Sequence, residues 1–432
     1  MYRVAVIGGG VLGTSIAYFL SGQAKDPSSI ALIEQERDIA KHTSSRNTGK
    51  VHAPFLYDPA KKKTLARAAS MGFEMWEKFA KEKRLPFVRD GVLEVALDDK
   101  GIERLHKYIA WGEANGLGKH ELRFLDKKQA AEMEPNVRCE SAIYCSKDGS
   151  VDYGSFSKAL LHDLKSFGCT ILLGRKVAKI SRKGAYTIST DNGELEAEFV
   201  VNAAGGNAVD IAHSMGVAKE YTDLHFRGEY WQAPEQYHSL TKLSIYSVPR
   251  HSEYPFLDPH WIVRADGRRE VGPNAVPVFG PYAYGLARNL ADMIPKIIES
   301  SRTGARRIAF DRQFMSLASA ELKSSLSKTA MINRVKEFLP AVRPSAFKVR
   351  GTAGIRSSVV DSAGRFVPDT LVVKRDSSLH VLNYNSPGAT GALPVAAGIA
   401  TQIVETGALP VGNTRTLWDA AKITDSMNRD RF

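Results

Sequence analysis

The sequence predicts an α/β fold in which a Rossmann-like dinucleotide-binding domain is interleaved with an α+β layer built on an antiparallel sheet. Three observations predict it. A glycine-rich turn joins a β-type run to a helix-like run at the N-terminus, and segments of similar style return at residues 151–206 and near the C-terminus. The length of 432 residues also exceeds what one hydrophobic core usually serves, so roughly two domains are expected.

The N-terminal segment has the pattern of a dinucleotide site. Three glycines in GxGxxG spacing follow a short apolar run: Gly8, Gly10 and Gly13. The first allows a tight turn, the second lets the backbone approach a pyrophosphate, and the third allows close packing of helix and strand. Val11 and Leu12 then open a helix, predicted over residues 15–20, whose free N–H groups attract anions.

An acidic residue follows at the distance where the ribose of a dinucleotide needs an acceptor. Glu34 ends the second apolar run, residues 30–33, and Gln35 comes next. A carboxylate there accepts hydrogen bonds from the ribose hydroxyls and repels a 2′-phosphate, which argues against NADP. The alternative is a glycine-rich turn in an ordinary α/β domain with a solvated Glu34.

A polar loop after the second strand is rich in groups that bind phosphate and ribose. It spans residues 42–49, and five of its residues with hydroxyl, amide or guanidinium groups are assigned to the cofactor site: Thr43, Ser44, Arg46, Asn47 and Thr48. Gly49 ends the loop and lets the backbone approach a flat ring. We predict cofactor contacts from this loop, ahead of a helix at residues 62–83.

A second α/β section begins near residue 151. Periodicity predicts one helix and four strands: a helix at 156–167 and strands at 170–173, 177–180, 186–190 and 195–199. Val177, at the start of one of these strands, is assigned to the cofactor site. A buried strand then ends in Ala203, Ala204 and Gly205, whose small side chains let a cofactor pass close to the backbone.

The composition changes between residues 223 and 343. Aromatic and proline-rich strands precede helices there: strands at 226–231, 244–249 and 261–263, and helices at 286–300 and 321–338. This pattern indicates a separate antiparallel sheet with helices, of the kind that roofs a substrate pocket. A further strand is predicted at 91–97, and Pro135 separates two helical stretches.

The C-terminal region returns to the strand, loop and helix style. Strands are predicted at 349–355, 371–374 and 379–383, and a helix at 392–405. Ser386 can cap that helix, and the next four residues present backbone groups to an anion: Pro387, Gly388, Ala389 and Thr390. The alternative is an ordinary capped helix.

Composition and charge limit the function classes. The chain is 43% hydrophobic and 25% charged, and no apolar run approaches the roughly 20 residues that cross a bilayer. Because the N-terminus enters a strand without a basic and apolar leader, we expect an uncleaved cytoplasmic protein. Cys139, Cys145 and Cys169 have neither CxxC spacing nor a neighbouring histidine cluster, which predicts reduced thiols and no metal site.

The net charge of +12 is spread over short clusters such as residues 61–63. No basic helix with interleaved aromatic residues appears, so we do not predict nucleic-acid binding. Attraction of an anionic substrate, or peripheral contact with a negative membrane surface, fits the charge better, and a solvated basic surface is the simplest alternative.

Together these segments resemble the FAD-dependent superfamily of D-amino-acid oxidase and glycine oxidase across nearly the whole chain. The resemblance rests on the glycine turn with Glu34, the strand end at 203–205 and the loop at 386–390. Shorter motifs are similar to its L-2-hydroxyglutarate dehydrogenase branch: residues 46–53, 226–230, 272–275 and 354–356. The chain departs from that branch at Lys50, where a small or apolar residue is more usual.

The resemblance implies FAD, bound without a covalent link, and a discontinuous architecture. The implied FAD-binding domain comprises residues 1–90, 146–222 and 344–415. The implied substrate domain comprises residues 91–145 and 223–343, and residues 416–432 form a C-terminal tail. The backbone from Gly388 to Thr390 is expected to face the flavin ring, where oriented N–H groups stabilise the charge that develops on reduction.

The resemblance also implies oxidation of a small anionic 2-hydroxy acid, L-2-hydroxyglutarate, to 2-oxoglutarate, with electrons passed to a quinone, O2 or a carrier protein. His52 is the expected base, because an imidazole titrates near neutral pH. Arg356 is the expected carboxylate clamp, because a guanidinium binds a carboxylate in bidentate fashion. Arg227, Tyr246 and Asn274 are further pocket candidates.

Alternatives stay open at this point. His52 can be a structural histidine or carry a covalent flavin link, and the arginines can form structural ion pairs. Relatives with this fold oxidise amines, amino acids or glycerol 3-phosphate. A flavin-binding electron-transfer partner without catalytic activity and an NAD-dependent dehydrogenase are the alternatives from other classes.

Overall fold

The structure, a computed structural model, describes residues 1–249 and 258–429. These residues form 21 strands and 12 α-helices. The strands are β1 (Tyr2–Ile7), β2 (Ile30–Ile33), β3 (Lys50–Val51), β4 (Val92–Ala96), β5 (Leu122–Asp126), β6 (Ser141–Cys145), β7 (Gly149–Ser150), β8 (Thr170–Leu172), β9 (Val177–Lys183), β10 (Ala185–Thr190), β11 (Gly193–Asn202), β12 (Thr222–Gly228), β13 (Trp231–Gln232), β14 (Ser244–Ser247), β15 (His260–Val263), β16 (Arg269–Gly272), β17 (Val276–Val278), β18 (Val349–Arg350), β19 (Gly354–Val360), β20 (Leu371–Arg375) and β21 (Ser378–Asn383). The helices are α1 (Val11–Gln23), α2 (Lys63–Lys83), α3 (Asp99–Ala114), α4 (Lys127–Met133), α5 (Tyr153–Phe167), α6 (Ala208–Ser214), α7 (Leu286–Arg302), α8 (Ala305–Ala309), α9 (Arg312–Leu326), α10 (Lys328–Lys336), α11 (Ala392–Glu405) and α12 (Ala420–Asn428). The predicted α/β class is confirmed.

The first sheet contains the strand that leads into the glycine turn. Its eight strands follow the path β20-β21-β11-β1-β2-β8, and β10 and β9 extend it from β11. Strand β1 pairs in parallel with β11 and β2, so the carboxyl ends of these three strands meet at one edge. All four residues of β2 and the last four of β1 are buried, as expected of parallel strands covered on both faces.

Helices from distant parts of the chain cover this sheet. Helix α1 packs against α5 and α11, and twelve of its thirteen residues are buried. Helix α12 packs against α11 and α2 and places Ala420 and Ile423 in the same apolar core. The expected C-terminal tail therefore contains a packed helix, and residues 430–432 lie outside the described part.

A second layer contains two further sheets. The larger has the order β18-β13-β16-β15-β14-β4-β6-β5 and is antiparallel except where β4 pairs with β14. That pair joins segments 91–145 and 223–343 in one sheet, and their grouping in one domain stays a prediction. The smaller sheet, β17-β12-β19, is antiparallel, and β3 and β7 form a separate short pair.

Several predicted boundaries differ from the structure. The strand expected at 349–355 is two strands in different sheets, because β18 pairs with β13 whereas β19 pairs with β12. The helix expected at 321–338 is split into α9 and α10, since Ser327 is extended and caps the second helix. The region after Pro135 continues into strand β6 instead of a second helix.

Two other sequence predictions concern loops and thiols. Ser386 does not cap α11, because that helix begins at Ala392 with Gly391 as its N-cap residue. The three cysteines are buried and form no disulfide. No helix within residues 1–249 and 258–429 is long and apolar enough to cross a membrane.

Candidate active site

The glycine turn between β1 and α1 is closed so tightly that it requires glycine. Gly8 has a φ of +108°, and a Cβ there would lie 2.4 Å from the carbonyl oxygen of Ala203. A Cβ on Gly13 would lie 1.9 Å from the carbonyl oxygen of Gly8. A Cβ on Gly10 would lie 3.1 Å from the Ser44 hydroxyl oxygen. This hydroxyl accepts a hydrogen bond from the Val11 N–H at 2.9 Å. The sequence-predicted turn, strand end and polar loop thus meet at one place.

The carboxylate of Glu34 lies beside this turn at the end of β2. It accepts hydrogen bonds from the Gly9 N–H at 2.6 Å and the Glu36 N–H at 2.8 Å. Burial raises the pKa of Glu34 in spite of these bonds. The two bonds fix the carboxylate and leave further lone pairs for ribose hydroxyls.

A cavity of about 470 Å³ opens in front of the turn. Ten of the residues predicted to bind the cofactor line it: Gly8, Gly10, Glu34, Gln35, Thr43, Ser44, Val177, Ala203, Ala204 and Gly205. Sequence reasoning missed Asn207 and Tyr282, whose amide and hydroxyl lie 2.7 Å apart on the wall. The glycine cradle, the fixed carboxylate and the polar wall fit a dinucleotide.

The remaining cofactor-site residues predicted in the polar loop do not line this cavity, and Arg46 and Asn47 form hydrogen bonds with the backbone of residues 41–49. Arg46 stacks on the Tyr284 ring at 4.5 Å and donates to the Lys41 carbonyl. Asn47 bonds to the Ser44 carbonyl and the Gly49 N–H, and Thr48 and Gly49 do not line the cavity. Cofactor contacts from these four residues stay a prediction.

A buried cluster of charges lies next to His52. The Lys50 Nζ is 2.9 Å from Asp90 Oδ2 and 3.1 Å from Asp148 Oδ1, and it donates to Ser150 at 3.0 Å. His52 Nδ1 lies 3.6 Å from Asp148 Oδ2. The unusual Lys50 is therefore the cation that compensates two buried carboxylates.

The pKa values of the two carboxylates in this cluster are shifted in opposite directions. Complete burial by itself raises the pKa of Asp148, but Lys50 and His52 together hold it below its usual range. At Asp90, burial outweighs Lys50 and raises the pKa. Asp148 is thus the carboxylate that stays ionised beside the imidazole, and no sequence motif pointed to it.

The C-terminal loop lies directly against His52. The His52 N–H donates to the Thr390 hydroxyl at 3.0 Å. The Trp76 indole donates to the carbonyls of Ala389 at 3.0 Å and Thr390 at 2.9 Å. A Cβ on Gly72 would lie 2.0 Å from the Thr390 carbonyl oxygen, so helix α2 needs glycine where it meets this loop. The structure therefore joins the predicted base and the predicted anion-facing loop, 338 positions apart.

Aromatic and acidic groups surround the other side of the imidazole. The ring centroids of His52 and Tyr246 are 6.2 Å apart, and Tyr246 stacks on His260 at 4.0 Å. The Tyr246 hydroxyl has no hydrogen-bond partner among the described residues. Burial raises the pKa of Glu94, the strand neighbour of Tyr246, to about 8, and lowers that of His260 to about 3.

Two half-buried cations, Arg356 and Lys62, are neighbours. Arg356 is on β19, and burial lowers the pKa of its guanidinium to about 10. Lys62 immediately precedes α2, and its Nζ lies 5.8 Å from the Tyr57 ring centroid. Burial and the nearby Arg356 lower the pKa of Lys62, while Asp369 and Asp58 act in the opposite direction. Sequence reasoning proposed Arg356 but missed Lys62, because Lys62 belongs to the basic cluster at residues 61–63, for which a solvated surface was the simplest interpretation.

Two other pocket candidates are held in structural contacts. Arg227 Nη2 lies 2.9 Å from Glu229 Oε1, and Nη1 donates to the Ala283 carbonyl at 3.1 Å. The Asn274 amide accepts from the Glu229 N–H at 2.8 Å and donates to Ser324 at 3.1 Å. The contact with Glu229 matches the structural ion pair considered for Arg227, and Asn274 is held by the same Glu229.

Sequence comparison places the chain among known proteins. A family model described as FAD dependent oxidoreductase matches residues 3–402. L-2-hydroxyglutarate dehydrogenase of Escherichia coli strain K12 is 28% identical over 430 residues, which cover 99% of each protein. The protein of the same name from Indibacter alkaliphilus is 29% identical over 400 residues, or 91% of this chain and 96% of that one.

Solved structures share the fold. Dithionite-reduced L-α-glycerophosphate oxidase from Mycoplasma pneumoniae, with FAD bound, superposes with a TM-score of 0.75 at 21% identity, covering 96% of this chain and 97% of that one. Glycine oxidase from Geobacillus kaustophilus has a TM-score of 0.68 at 17% identity and 98% coverage of both chains.

Proposed function

The chain belongs to the family of FAD-dependent oxidoreductases, and we propose that it oxidises the 2-hydroxy dicarboxylic acid L-2-hydroxyglutarate to 2-oxoglutarate. The observation that carries the proposal is the pair of neighbouring, half-buried cations Arg356 and Lys62. The relatives named L-2-hydroxyglutarate dehydrogenase, similar over nearly the whole chain, support it.

A dicarboxylate matches two cations better than a monocarboxylate does. Placing two like charges near each other in a partly buried region is costly, and a ligand with two negative charges offsets that cost. Arg356 is the proposed clamp for the carboxylate beside the hydroxyl group, because its planar guanidinium fixes orientation. Lys62 is the proposed partner of the distal carboxylate.

His52 is the proposed base. The reaction removes a hydride from the α-carbon and a proton from the hydroxyl group, and His52 takes the proton. We assign the Nδ1–H of the neutral ring to the side facing Asp148, which leaves Nε2 to accept the proton. Asp148 then stabilises the imidazolium that forms. When bound, FAD supplies the acceptor for the hydride.

Residues from both ends of the chain are proposed to hold FAD. Gly8, Gly10 and Glu34 belong to the adenosine end, and the backbone of Gly388 and Thr390 belongs to the ring end. Because the His52 ring faces Asp148, non-covalent binding is proposed. Acid precipitation should release all the flavin into the supernatant, whereas a covalent link would keep it with the protein.

The proposed electron acceptor is a quinone. The relatives named above are dehydrogenases, which supports an acceptor other than O2. After anaerobic reduction, mixing with a water-soluble quinone should reoxidise the flavin faster than mixing with air-saturated buffer. The opposite order would favour an oxidase.

An anaerobic reduction screen tests the substrate. L-2-Hydroxyglutarate should bleach the flavin absorbance, and D-2-hydroxyglutarate and L-2-hydroxybutyrate should do so far more slowly. Glycerol 3-phosphate is the second candidate, because a phosphomonoester dianion also suits two cations and a structural neighbour is an L-α-glycerophosphate oxidase. Glycine, sarcosine and proline complete the panel, and bleaching by one of them alone would refute the hydroxy-acid assignment.

A further inference from the structure

The loop between β17 and α7 covers the cavity in front of the glycine turn. We name residues 279–285 the strap. Four strap residues line the cavity that also contains Gly8 and Glu34: Phe279, Gly280, Pro281 and Tyr282. The strap lies in segment 223–343, which we predicted to be part of the substrate domain. A segment from outside the predicted FAD-binding domain therefore forms one wall of the dinucleotide site.

The strap crosses the loop after β11 in close contact. A Cβ on Gly206 would lie 2.3 Å from the Cβ of Pro281, so the crossing requires glycine at this position. The Asn207 amide donates to the Tyr282 hydroxyl at 2.7 Å and to the Gln35 side-chain oxygen at 3.4 Å. These bonds connect the strap to the ends of β11 and β2, where the adenosine end of the dinucleotide is expected.

A second set of contacts holds the strap at Tyr284. The Arg46 guanidinium lies 4.5 Å from the centroid of the Tyr284 ring. The His42 ring is parallel to the Tyr284 ring, and His42 Nδ1 lies 3.3 Å from the Tyr284 hydroxyl. His42 is itself held by Glu36, whose Oε1 lies 3.1 Å from Nε2. Because Tyr284 and Arg46 do not line the cavity, their contact acts on the strap.

Arg227 holds the backbone of the strap from strand β12. Its Nη1 donates to the carbonyl of Ala283 at 3.1 Å and to that of Tyr284 at 3.4 Å. Its Nη2 lies 2.9 Å from Glu229 Oε1, so the guanidinium is fixed while it contacts two consecutive strap residues. Arg227, which sequence analysis assigned to the pocket, is thus placed to act as a positioning residue for the strap.

We propose that the strap is the gate of the FAD site, and that it must open before FAD enters or leaves. The strap, the glycine turn and Glu34 line one cavity, so a dinucleotide held by the turn and the carboxylate is enclosed by the strap. Opening breaks the contacts of Tyr282 and Tyr284, and these contacts therefore control the rate of FAD exchange. The gate depends on the binding of FAD and is independent of the substrate and of the electron acceptor.

Exchange of bound FAD for radiolabelled FAD on the full-length holoenzyme tests the proposal. Tyr284→Leu removes the contacts with Arg46 and His42 and should make exchange roughly ten-fold faster. The Kd for FAD should change by less than about three-fold, because Tyr284 lies outside the cavity and its loss eases entry and exit alike. Tyr144→Leu is the matched control, since the Tyr144 ring on β6 lies 5.0 Å from the Arg123 guanidinium, and this variant should exchange FAD at the wild-type rate.

A second variant tests the strap through its backbone. Arg227→Lys keeps a positive charge beside Glu229 but loses the planar group that reaches both strap carbonyls, so exchange should be about three-fold faster or more. Flavin absorbance and thermal unfolding establish that each variant is folded.

Unchanged exchange in Tyr284→Leu would overturn the gate. A Kd that rises in proportion to the exchange rate would also overturn it, because FAD entry would then be unaffected by the strap. Failure of the proposed substrate is recognised separately, since it leaves the flavin unbleached and does not alter the exchange rates.

Discussion

Replacement of Asp148 by asparagine should slow flavin reduction strongly while the protein stays folded. The carboxylate forms an ion pair with Lys50 Nζ at 3.1 Å and faces His52 Nδ1 at 3.6 Å. Asparagine keeps the shape but removes the charge, so the imidazolium that forms during the reaction loses its counterion. The amide can also donate to Nδ1 and favour the wrong tautomer.

The charges of the cluster determine how far the reduction rate and the free energy of unfolding should fall. A general base and its orienting group together contribute about 10² to 10⁴ in rate, so we expect at least about 10²-fold slower reduction, or roughly 3 kcal/mol of barrier. The fold loses less, because Lys50 keeps Asp90 at 2.9 Å and the remaining pair is neutral. The free energy of unfolding should fall by about 1–3 kcal/mol.

Anaerobic stopped-flow spectroscopy at saturating substrate, with urea unfolding in parallel, measures both effects. Asp90→Asn is the matched control, because Asp90 contacts the same Lys50 but, among the described residues, forms no ion pair with His52. Its stability should fall by a similar amount while the reduction rate changes less than about three-fold. Equal rate losses in the two variants would refute a specific role of Asp148 toward His52.

Three further predictions concern charge, substrate and backbone. Burial raises the pKa of Glu94 to about 8, so the folded state keeps a proton that the unfolded state loses above about pH 4.3, and stability should fall as pH rises from about 4.3 to 8. Glu94→Gln should therefore raise the urea midpoint strongly at pH 8 and little at pH 5. An equal gain at both pH values would contradict this reasoning. Lys62→Met should raise the KM for L-2-hydroxyglutarate by roughly 10-fold or more and change the KM for L-2-hydroxybutyrate by less than about three-fold, since only the dicarboxylate uses the second cation. Equal increases in KM for both acids would argue against the assignment. Gly13→Ala should abolish FAD retention on gel filtration, because its Cβ would lie 1.9 Å from the Gly8 carbonyl oxygen. The control Gly398→Ala, in helix α11 with open space around it, should retain FAD and raise the free energy of unfolding by about 0.5–1 kcal/mol.

Local features of the chain could be predicted from the sequence. The glycine turn and the position of Glu34 depend on neighbours within about 30 residues, and the structure has them where the pattern places them. Helix α1 lies where it is expected but is longer, Val11–Gln23 instead of residues 15–20. The assignment of FAD agrees with the family model over residues 3–402. Turn chemistry and hydrophobic period carry this information directly.

Features that depend on partners far along the chain could not be predicted in this way. Lys50 was noticed only as an unusual residue, because its partners Asp90 and Asp148 are 40 and 98 positions away and follow no motif. Lys62 lies in a basic run between the exposed Lys61 and Lys63, and its own partial burial has no local signal.

Periodicity also left the orientation of one apolar stripe undetermined. It predicted a helix at 286–300, which α7 confirms, but it could not show that the stripe with Leu286, Leu290 and Ile294 is exposed. The pairing of Lys296 with Asp223 decides that rotation, and this pair forms only in the folded protein.

The hydrogen bond between His52 and Thr390 has a consequence for protein synthesis. At about 5–20 residues per second, a ribosome needs roughly 20 to 70 s to make the 338 residues that separate these partners. Strand β21, which flanks β11, and helix α11, which packs on α1, belong to the same late segment. A nascent chain therefore holds its flavin-binding turn early but lacks a complete catalytic pocket until the last part of translation. Premature termination before Thr390 should yield products that cannot oxidise substrate.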